Sequence, residues 1–112
     1  MALPHLYRLP LRFERERLNA QGIRHQSSLF TLVKAPSPST LHHSRFAVLL
    51  SKKLSPLSST RNHLKRLTTE ALTPLLDQVS QADYLLIPKK ELLSTSYAEI
   101  ESDLKRLFSH HD

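Results

Sequence analysis

The sequence predicts an α/β sandwich, a small mixed sheet of three to four strands flanked by helices in the order α-β-β-α-β-α. Two apolar segments rich in β-branched and aromatic residues stand in the first half, and the second half alternates helix, strand and helix. Elements in this order pack helices on one sheet. A chain of 112 residues suits one core and is too short for two. We therefore expect a single domain over 1–112, with a flexible segment at 1–10.

The first helix is predicted over Leu11–Gln21, a charged segment followed by the chain's single glycine, Gly22. Glycine is favoured just past the last turn of a helix. Two strands are predicted next, at 28–34 and 45–51, because both segments are rich in strand-forming residues. The Pro- and Ser-rich link between them can turn the chain, so these strands are expected to pair as an antiparallel hairpin.

A long helix is predicted after Ser55 and Pro56, which have the pattern of an N-cap followed by proline at the first helical position. Apolar residues then recur at steps of three and four and define one buried face: Leu64, Leu67, Ala71, Leu72, Leu75, Leu76 and Val79. Pro74 is expected to kink the last turns, because it cannot donate a hydrogen bond to Glu70.

The last two elements are a strand at 83–88 and a helix to about Ser109. The strand, DYLLIP, is short and apolar. Ser96 and Glu99 have the spacing of a capping box, which opens a helix. Its inner stripe is predicted to consist of Tyr97, Ile100, Leu104, Leu107 and Phe108.

The charge of the chain indicates a polyanionic partner. Sixteen Lys and Arg against ten Asp and Glu give a net charge of +6. A basic surface of this kind favours nucleic acid first and a membrane surface second. The absence of cysteine excludes disulfides, cysteine zinc sites and thiol nucleophiles, and fits a reducing cytosol. No apolar run approaches the ~20 residues of a membrane span, so a cytoplasmic protein is expected.

The basic residues concentrate in RNHLKRL, residues 61–67. One sector of this helix, beside the leucine stripe, holds no carboxylate: Arg61, Asn62, Lys65, Arg66 and Thr69. Like charges at the spacing of Arg61 and Lys65 repel, so an outside anion would relieve the helix. A solvated basic face is the alternative. Lys52 and Lys53 favour the anion, since they end the preceding strand and are expected at the same edge of the fold.

These motifs resemble those of the bacterial ribonuclease P protein component. The segment RFAVLLSKKLSPLSSTRNHLKRL, residues 45–67, carries that family's strand-end SKK followed by a helix with an RNxxKR motif. The resemblance continues through DYLLIPKK at 83–90 and SYAEIESDLKRLF at 96–108, and more weakly back through Phe30 to the first helix. It therefore covers nearly the whole chain.

The resemblance implies a left-handed strand–helix–strand crossover, against the general rule. It also implies the function. In the family, a catalytic RNA uses Mg²⁺ to hydrolyse precursor tRNA and release its 5′ leader. The protein, a monomer within the ribonucleoprotein, docks on that RNA through the basic helix. It receives the single-stranded leader in a cleft between the sheet and the first helix.

Ten site residues follow from the resemblance. RNA binding is expected at Arg61, Asn62, His63, Lys65, Arg66, Lys52 and Lys53, and leader binding at Phe30, Arg15 and Phe13. His63 stands where the family usually has an arginine, which implies a weaker, pH-dependent contact. The link from Lys53 to Arg61 lacks the usual glycine and is one residue longer. Arg15 and Asn19 stand where aromatic residues are typical, and Phe13 is expected on a different face.

Other residue types give weaker signals. The pairs His42-His43 and His110-His111 lack metal-ligand spacing, so no metal site of the protein is expected. No arrangement of serines or carboxylates predicts a protein active site. Phe30 suits either the core or a stacked leader base, whereas Phe46 and Tyr84 are assigned to the core. Two rivals stay open, a basic RNA-binding protein of ribosomal type and a helix that binds a membrane surface.

Overall fold

The computed structural model describes residues 7–9, 11–36, 44–76, 78–79 and 81–111, and for residues 11–14, 110 and 111 it gives the backbone alone. Within these ranges the elements are α1 (Leu11–Gln21), β1 (Ile23–Gln26), β2 (Phe30–Ala35), β3 (Arg45–Val48), α2 (Ser58–Leu72), β4 (Asp83–Pro88) and α3 (Tyr97–His111). The predicted α/β sandwich is confirmed, with β1 as an additional strand. His42 and His43 lie outside the described residues.

The sheet has the strand order β1-β2-β4-β3, so β4 lies between β2 and β3. β2 is antiparallel to β4, with Phe30 opposite Pro88 and Ala35 opposite Asp83, whereas β3 is parallel to β4. The predicted hairpin of β2 with β3 is therefore wrong. The physical reason for the different pairing is burial. β4 is covered on both faces, which favours the centre of the sheet, and a central strand needs a neighbour on each side.

Helix α2 crosses from β3 to β4 and ends earlier than predicted. The last α-helical residue is Leu72, and Thr73–Leu75 follow as a 3₁₀ turn that contains Pro74. The Thr73 hydroxyl donates to the Thr69 carbonyl at 2.8 Å. Proline thus ends this helix, where the sequence predicts a kink within it. The parallel strands joined by α2 form the crossover unit that the resemblance implies, and its left-handed sense stays a prediction.

One face of the sheet packs against α2 and α3. Its centre is aromatic: the rings of Phe46 and Tyr84 stack with centroids 5.2 Å apart. Phe108 of α3 meets both rings edge-on, at 6.2 and 5.3 Å. The helix stripes are confirmed in the main, because Leu64, Leu72, Ile100 and Leu104 and their neighbours are buried. Tyr97 is the exception, since it is 37% exposed at the start of α3.

The other face packs against α1. Leu18 of α1 is 1% exposed and joins a cluster with Val33, Ala35 and Leu85. A side chain at Gly22 would collide with the Leu18 carbonyl and a methyl group of Val33, and the φ angle of Gly22 is not positive. The glycine, expected just past the last turn, therefore permits close packing of the helix end on β2.

Residues 7–9, within the segment predicted to be flexible, lie against β3. The Leu9 N–H donates to the Phe46 carbonyl at 2.8 Å, and Arg8 forms a parallel bridge with Phe46. Leu9 is 5% exposed and joins the cluster beneath α1. This part of the segment is held on the sheet because its apolar side chain gains burial there. Residues 1–6 and 10 lie outside the described residues.

Candidate nucleic-acid interface

The carboxyl ends of β3 and β4 bring two lysine pairs to one edge of the sheet. Because these strands are parallel neighbours, the chain leaves both of them at the same edge. Lys52 and Lys53 are exposed in the turn after β3, and Lys90 is exposed after β4. The Lys89 ammonium is half-buried and donates to the Ser27 carbonyl at 2.6 Å. Three lysines therefore face solvent at this edge, whereas Lys89 links the edge to the β1–β2 turn through its hydrogen bond.

Helix α2 begins at the same edge, since it must return from the end of β3 to the start of β4. Its N-cap is Leu57, which has an extended backbone and no side-chain cap. The predicted N-cap, Ser55, lies two residues earlier, and its hydroxyl accepts the N–H of Leu57 at 3.3 Å. The prediction is therefore shifted, because Ser55 is buried in the loop and caps the turn that precedes the helix.

The first half of α2 presents most of the predicted RNA-binding residues to solvent. The exposed ones are Asn62, His63, Lys65 and Arg66. At 1.5 Å per residue, Arg66 lies about 12 Å along the axis from the first residue of the helix. We call Lys52, Lys53, Lys65, Arg66 and Lys90 the basic edge.

Two members of the predicted helix sector are placed differently. Arg61 is half-buried, and its guanidinium donates to the Ser55 carbonyl at 2.7 Å. It therefore holds the loop before α2 as well as adding charge. Thr69 is 3% exposed and belongs to the buried face. The sector is narrower than predicted because the sheet and α3 cover more of the helix than its leucines alone indicate.

The electrostatics of the basic edge favour an external anion. The first turn of α2 contains no acidic residue. The positive end of the helix dipole is therefore not offset by a carboxylate of the first turn. By contrast, α3 has Glu99 in its first turn, and the Glu99 N–H donates to the Ser96 hydroxyl at 3.3 Å, as the capping box predicts. The two long helices differ in the way expected if one of them meets a polyanion.

The second part of the candidate interface is the sheet face that α1 covers incompletely. Ala47, Leu49 and Ile87 are half-buried there and pack on the cluster beneath α1. Thr31 lies opposite Ile87 in register and is also half-buried. We call these four residues the open floor. They lie toward the carboxyl ends of β3 and β4, so the open floor runs up to the basic edge.

The predicted leader residues do not all reach this floor. Arg15 and Asn19 are exposed on α1, whereas the side chain of Phe13 lies outside the described residues. Phe30 is 0% exposed and packs with Leu32 in the core on the opposite face. Its predicted stacking on a leader base is therefore wrong for this fold, and the core alternative holds. Strand alternation gives the signal: Phe30 and Leu32 share a face, so Thr31 and Val33 share the other.

A buried ionic cluster, which the sequence analysis missed, lies where α1 meets the sheet. Asp83 is 0% exposed, and both its oxygens accept from Arg45: Nε to Oδ1 at 2.9 Å and Nη2 to Oδ2 at 2.8 Å. Arg17 of α1 donates to the same Oδ2 and, through Nη1, to the Pro36 carbonyl at 2.8 Å. The cluster joins residues 66 positions apart, so local pattern carries no signal for it.

Tyr97 at the start of α3 has a perturbed phenol. Burial raises its pKa, and the carboxylates of Glu101 and Glu70 raise it further. In the part of the chain that the structure describes, no helix combines the length and apolarity needed to cross a bilayer.

Comparison with known proteins supports one family. The family model described as Ribonuclease P matches residues 3–112. Ribonuclease P protein components of Pseudanabaena sp. and Microcystis aeruginosa are each 29% identical to the chain, over 96% of it and 92% of theirs. The solved RNase P protein of Staphylococcus aureus has a TM-score of 0.84 at 19% identity, with 95% of each chain covered. That of Thermotoga maritima has a TM-score of 0.81 at 21% identity, covering 92% of this chain and 96% of the other. The fold, the basic edge and the matched family model agree, and the chain belongs to the ribonuclease P protein component family.

Proposed function

We propose that this chain docks on the catalytic RNA of ribonuclease P through the basic edge and holds the 5′ leader of precursor tRNA on the open floor beside α1. The observation that supports docking is the convergence of exposed cations from three parts of the chain, with no acid in the first turn of α2. Each cation that neutralises a phosphate releases a counterion, which favours binding at low salt. Asn62 and His63 add hydrogen bonds on the same helix, and Arg61 adds charge at its inner side.

The proposed division of labour leaves hydrolysis to the RNA. The described residues contain no group of three or more His, Asp or Glu side chains that could hold a metal ion. We assign the Mg²⁺ of the family's reaction to the RNA and the substrate, since Mg²⁺ commonly binds phosphate oxygens and keeps several waters. The protein increases cleavage by holding substrate and RNA together. A cytoplasmic location and a single copy of the protein in the ribonucleoprotein stay predictions.

The proposed leader site relies on charge more than on stacking. Phe30 is buried, and Arg15 and Asn19 occupy exposed positions of α1. Arg15 is suited to a leader phosphate or to lying flat on a base. The open floor supplies apolar contact through Leu49 and Ile87, which need no particular base. Phe13, whose side chain lies outside the described residues, stays a proposed leader contact.

A cleavage assay in trans tests the proposal. The protein is added to a bacterial ribonuclease P RNA, Mg²⁺ and precursor tRNA at low ionic strength, where the RNA alone is slow. We expect site-specific release of the 5′ leader to increase with the protein, and no cleavage by repurified protein without RNA. A ribosomal-type RNA-binding protein would bind RNA and leave cleavage unchanged, and a membrane-surface helix would bind anionic vesicles instead. Either result, or sustained cleavage by RNA-free protein, contradicts the proposal.

A further inference from the structure

Arg17 is one of the residues through which α1 contacts the sheet. Among the described side chains of α1, Leu18 is the one buried apolar side chain. Within residues 15–21, the part of α1 whose side chains the structure describes, one apolar contact leaves the rotation of the helix about its long axis weakly determined. Arg17 lies about 100° around the helix from Leu18 and reaches both Asp83 and the Pro36 carbonyl. Its bonds therefore restrain the rotation that Leu18 leaves open.

Arg45 already provides a bidentate partner for Asp83. Its two N–H groups bond the two carboxylate oxygens, at 2.9 and 2.8 Å. A buried carboxylate requires such pairing, and this pairing comes from the neighbouring strand within the sheet. The bond from Arg17 is thus additional. What it contributes is a link between α1 and the sheet, with the Arg17 side chain 23% exposed and the Asp83 side chain 0% exposed.

The flank of α1 opposite Arg17 carries the proposed leader contacts. Relative to Leu18, Arg17 lies about 100° to one side, whereas Arg15 and Asn19 lie about 60° and 100° to the other. A rotation of α1 therefore moves Arg15 and Asn19 toward or away from the sheet. Both side chains are exposed.

We propose that Arg17 is a positioning residue for the precursor tRNA leader: through Asp83 and Pro36 it sets the rotation of α1 and so aims Arg15 at the leader. This inference rests on the proposed function, in which the leader lies between α1 and the sheet. Arg17 acts through Arg15 and touches neither the catalytic RNA nor the leader. Its removal lowers recognition of the leader and leaves docking on the RNA intact.

The test is a double-mutant cycle on the holoenzyme. The affinity for precursor tRNA is divided by the affinity for mature tRNA, and this ratio isolates the contribution of the leader to binding. Arg17→Gln should lower this ratio by about two- to thirtyfold, the range for residues that act through others. In a protein that already carries Arg15→Gln, Arg17→Gln should have little further effect. The matched control is Lys105→Gln. It removes an exposed cation of α3 that lies beside the far end of α2, near Leu75 and Gln78.

The outcomes separate the inference from the function on which it rests. If the unmodified protein gives no preference for precursor over mature tRNA, the leader proposal fails, and this inference with it. If that preference exists and Arg17→Gln keeps it, or if the effects of Arg17→Gln and Arg15→Gln are additive, Arg17 is not a positioning residue. A fall in affinity for the catalytic RNA as large as the fall in the ratio also overturns it, since it reports general loss of structure. If Arg17→Gln does not fold, Arg17→Lys decides through the same cycle, because lysine keeps the charge but cannot hold both acceptors.

Discussion

At the scale of single residues, the cations of α2 have distinct tasks. The Arg61 guanidinium is bonded to the Ser55 carbonyl, so its removal would unfasten the loop before the helix as well as remove charge. Lys65 and Arg66 are exposed and have no such contact with another described residue. A substitution at Lys65 or Arg66 should therefore change RNA binding without changing stability. A substitution at Arg61 should change both.

Lys65→Ala and Arg66→Ala should each weaken binding to the ribonuclease P RNA. Each should also lower the slope of log affinity against log salt by about one, the amount expected for one lost phosphate contact. Thermal stability should stay within about 0.5 kcal/mol, since surface substitutions seldom exceed that. Salt titrations of binding and thermal melts measure both. Lys105→Ala on α3 is the control, and an equal loss of slope there would mean that binding is not localised to the basic edge.

Phe30→Leu should lower stability and leave leader recognition unchanged. The ring is fully buried beside Leu32, and leucine retains much of its apolar bulk, so we expect a loss of about 1 kcal/mol. Denaturant melts give the stability, and the ratio of precursor to mature tRNA affinity gives the recognition. A drop in that ratio at unchanged stability would return Phe30 to the leader site.

At the scale of elements, the start of α2 is suboptimal for stability and suited to an anion. Leu57 at the N-cap is 62% exposed and cannot accept a hydrogen bond from the first turn. Its backbone, with φ −84° and ψ 119°, already has N-cap geometry. A polar side chain at this position would therefore cap the helix without a change of backbone.

The isosteric pair Leu57→Asn and Leu57→Asp separates capping from charge. Both should stabilise the protein by about 1 kcal/mol, because both side chains accept the free N–H groups. Only Leu57→Asp should weaken RNA binding, since it places a carboxylate among the cations of the basic edge. Melting curves and RNA titrations of both variants provide the check. Equal RNA affinity for the two variants would show that the start of α2 lies away from the RNA.

Particular elements explain what sequence can and cannot predict here. The apolar periods of α2 and α3 and the unbroken apolar run of β4 each depend on local composition, and all three elements form, α2 with shorter bounds than predicted. β1 was missed because IRHQ has no apolar alternation; it is a strand through its pairing with β2. Likewise, the order β2-β4-β3 follows from the two-sided burial of β4, and the Asp83 cluster joins three distant segments. In the candidate site, the exposed cations were predictable from charge, whereas the burial of Phe30 and the carbonyl contact of Arg61 depend on packing.

At the scale of the whole molecule, β4 organises the two layers. It contributes Tyr84 and Leu86 to the core under α2 and α3, and Leu85 to the cluster under α1. Like β2, it has a partner strand on each side, whereas β1 forms an outer edge. Loss of β4 would therefore dissolve both cores, and loss of β1 would leave them largely intact.

Amide hydrogen exchange should reflect this arrangement. The N–H groups of Tyr84 to Ile87 should be the slowest in the sheet, because β4 lies between two strands and is also covered on both faces. Those of Arg24 and Gln26 in β1 should exchange much faster. Exchange followed by NMR on the free protein measures both sets. Equal protection of β1 and β4 would mean that the sheet opens as one unit.

The central place of β4 also has a consequence for synthesis. β3 is translated before β4, yet within the described fold its sheet partner is supplied by residues 83–88. Until those residues leave the ribosome, the nascent chain can form the β1–β2 hairpin and little else of the sheet, and an isolated hairpin is marginally stable. Chains that terminate before β4 should accordingly be degraded by proteases and should not accumulate as partial subunits, so that only the full-length protein accumulates in the cell.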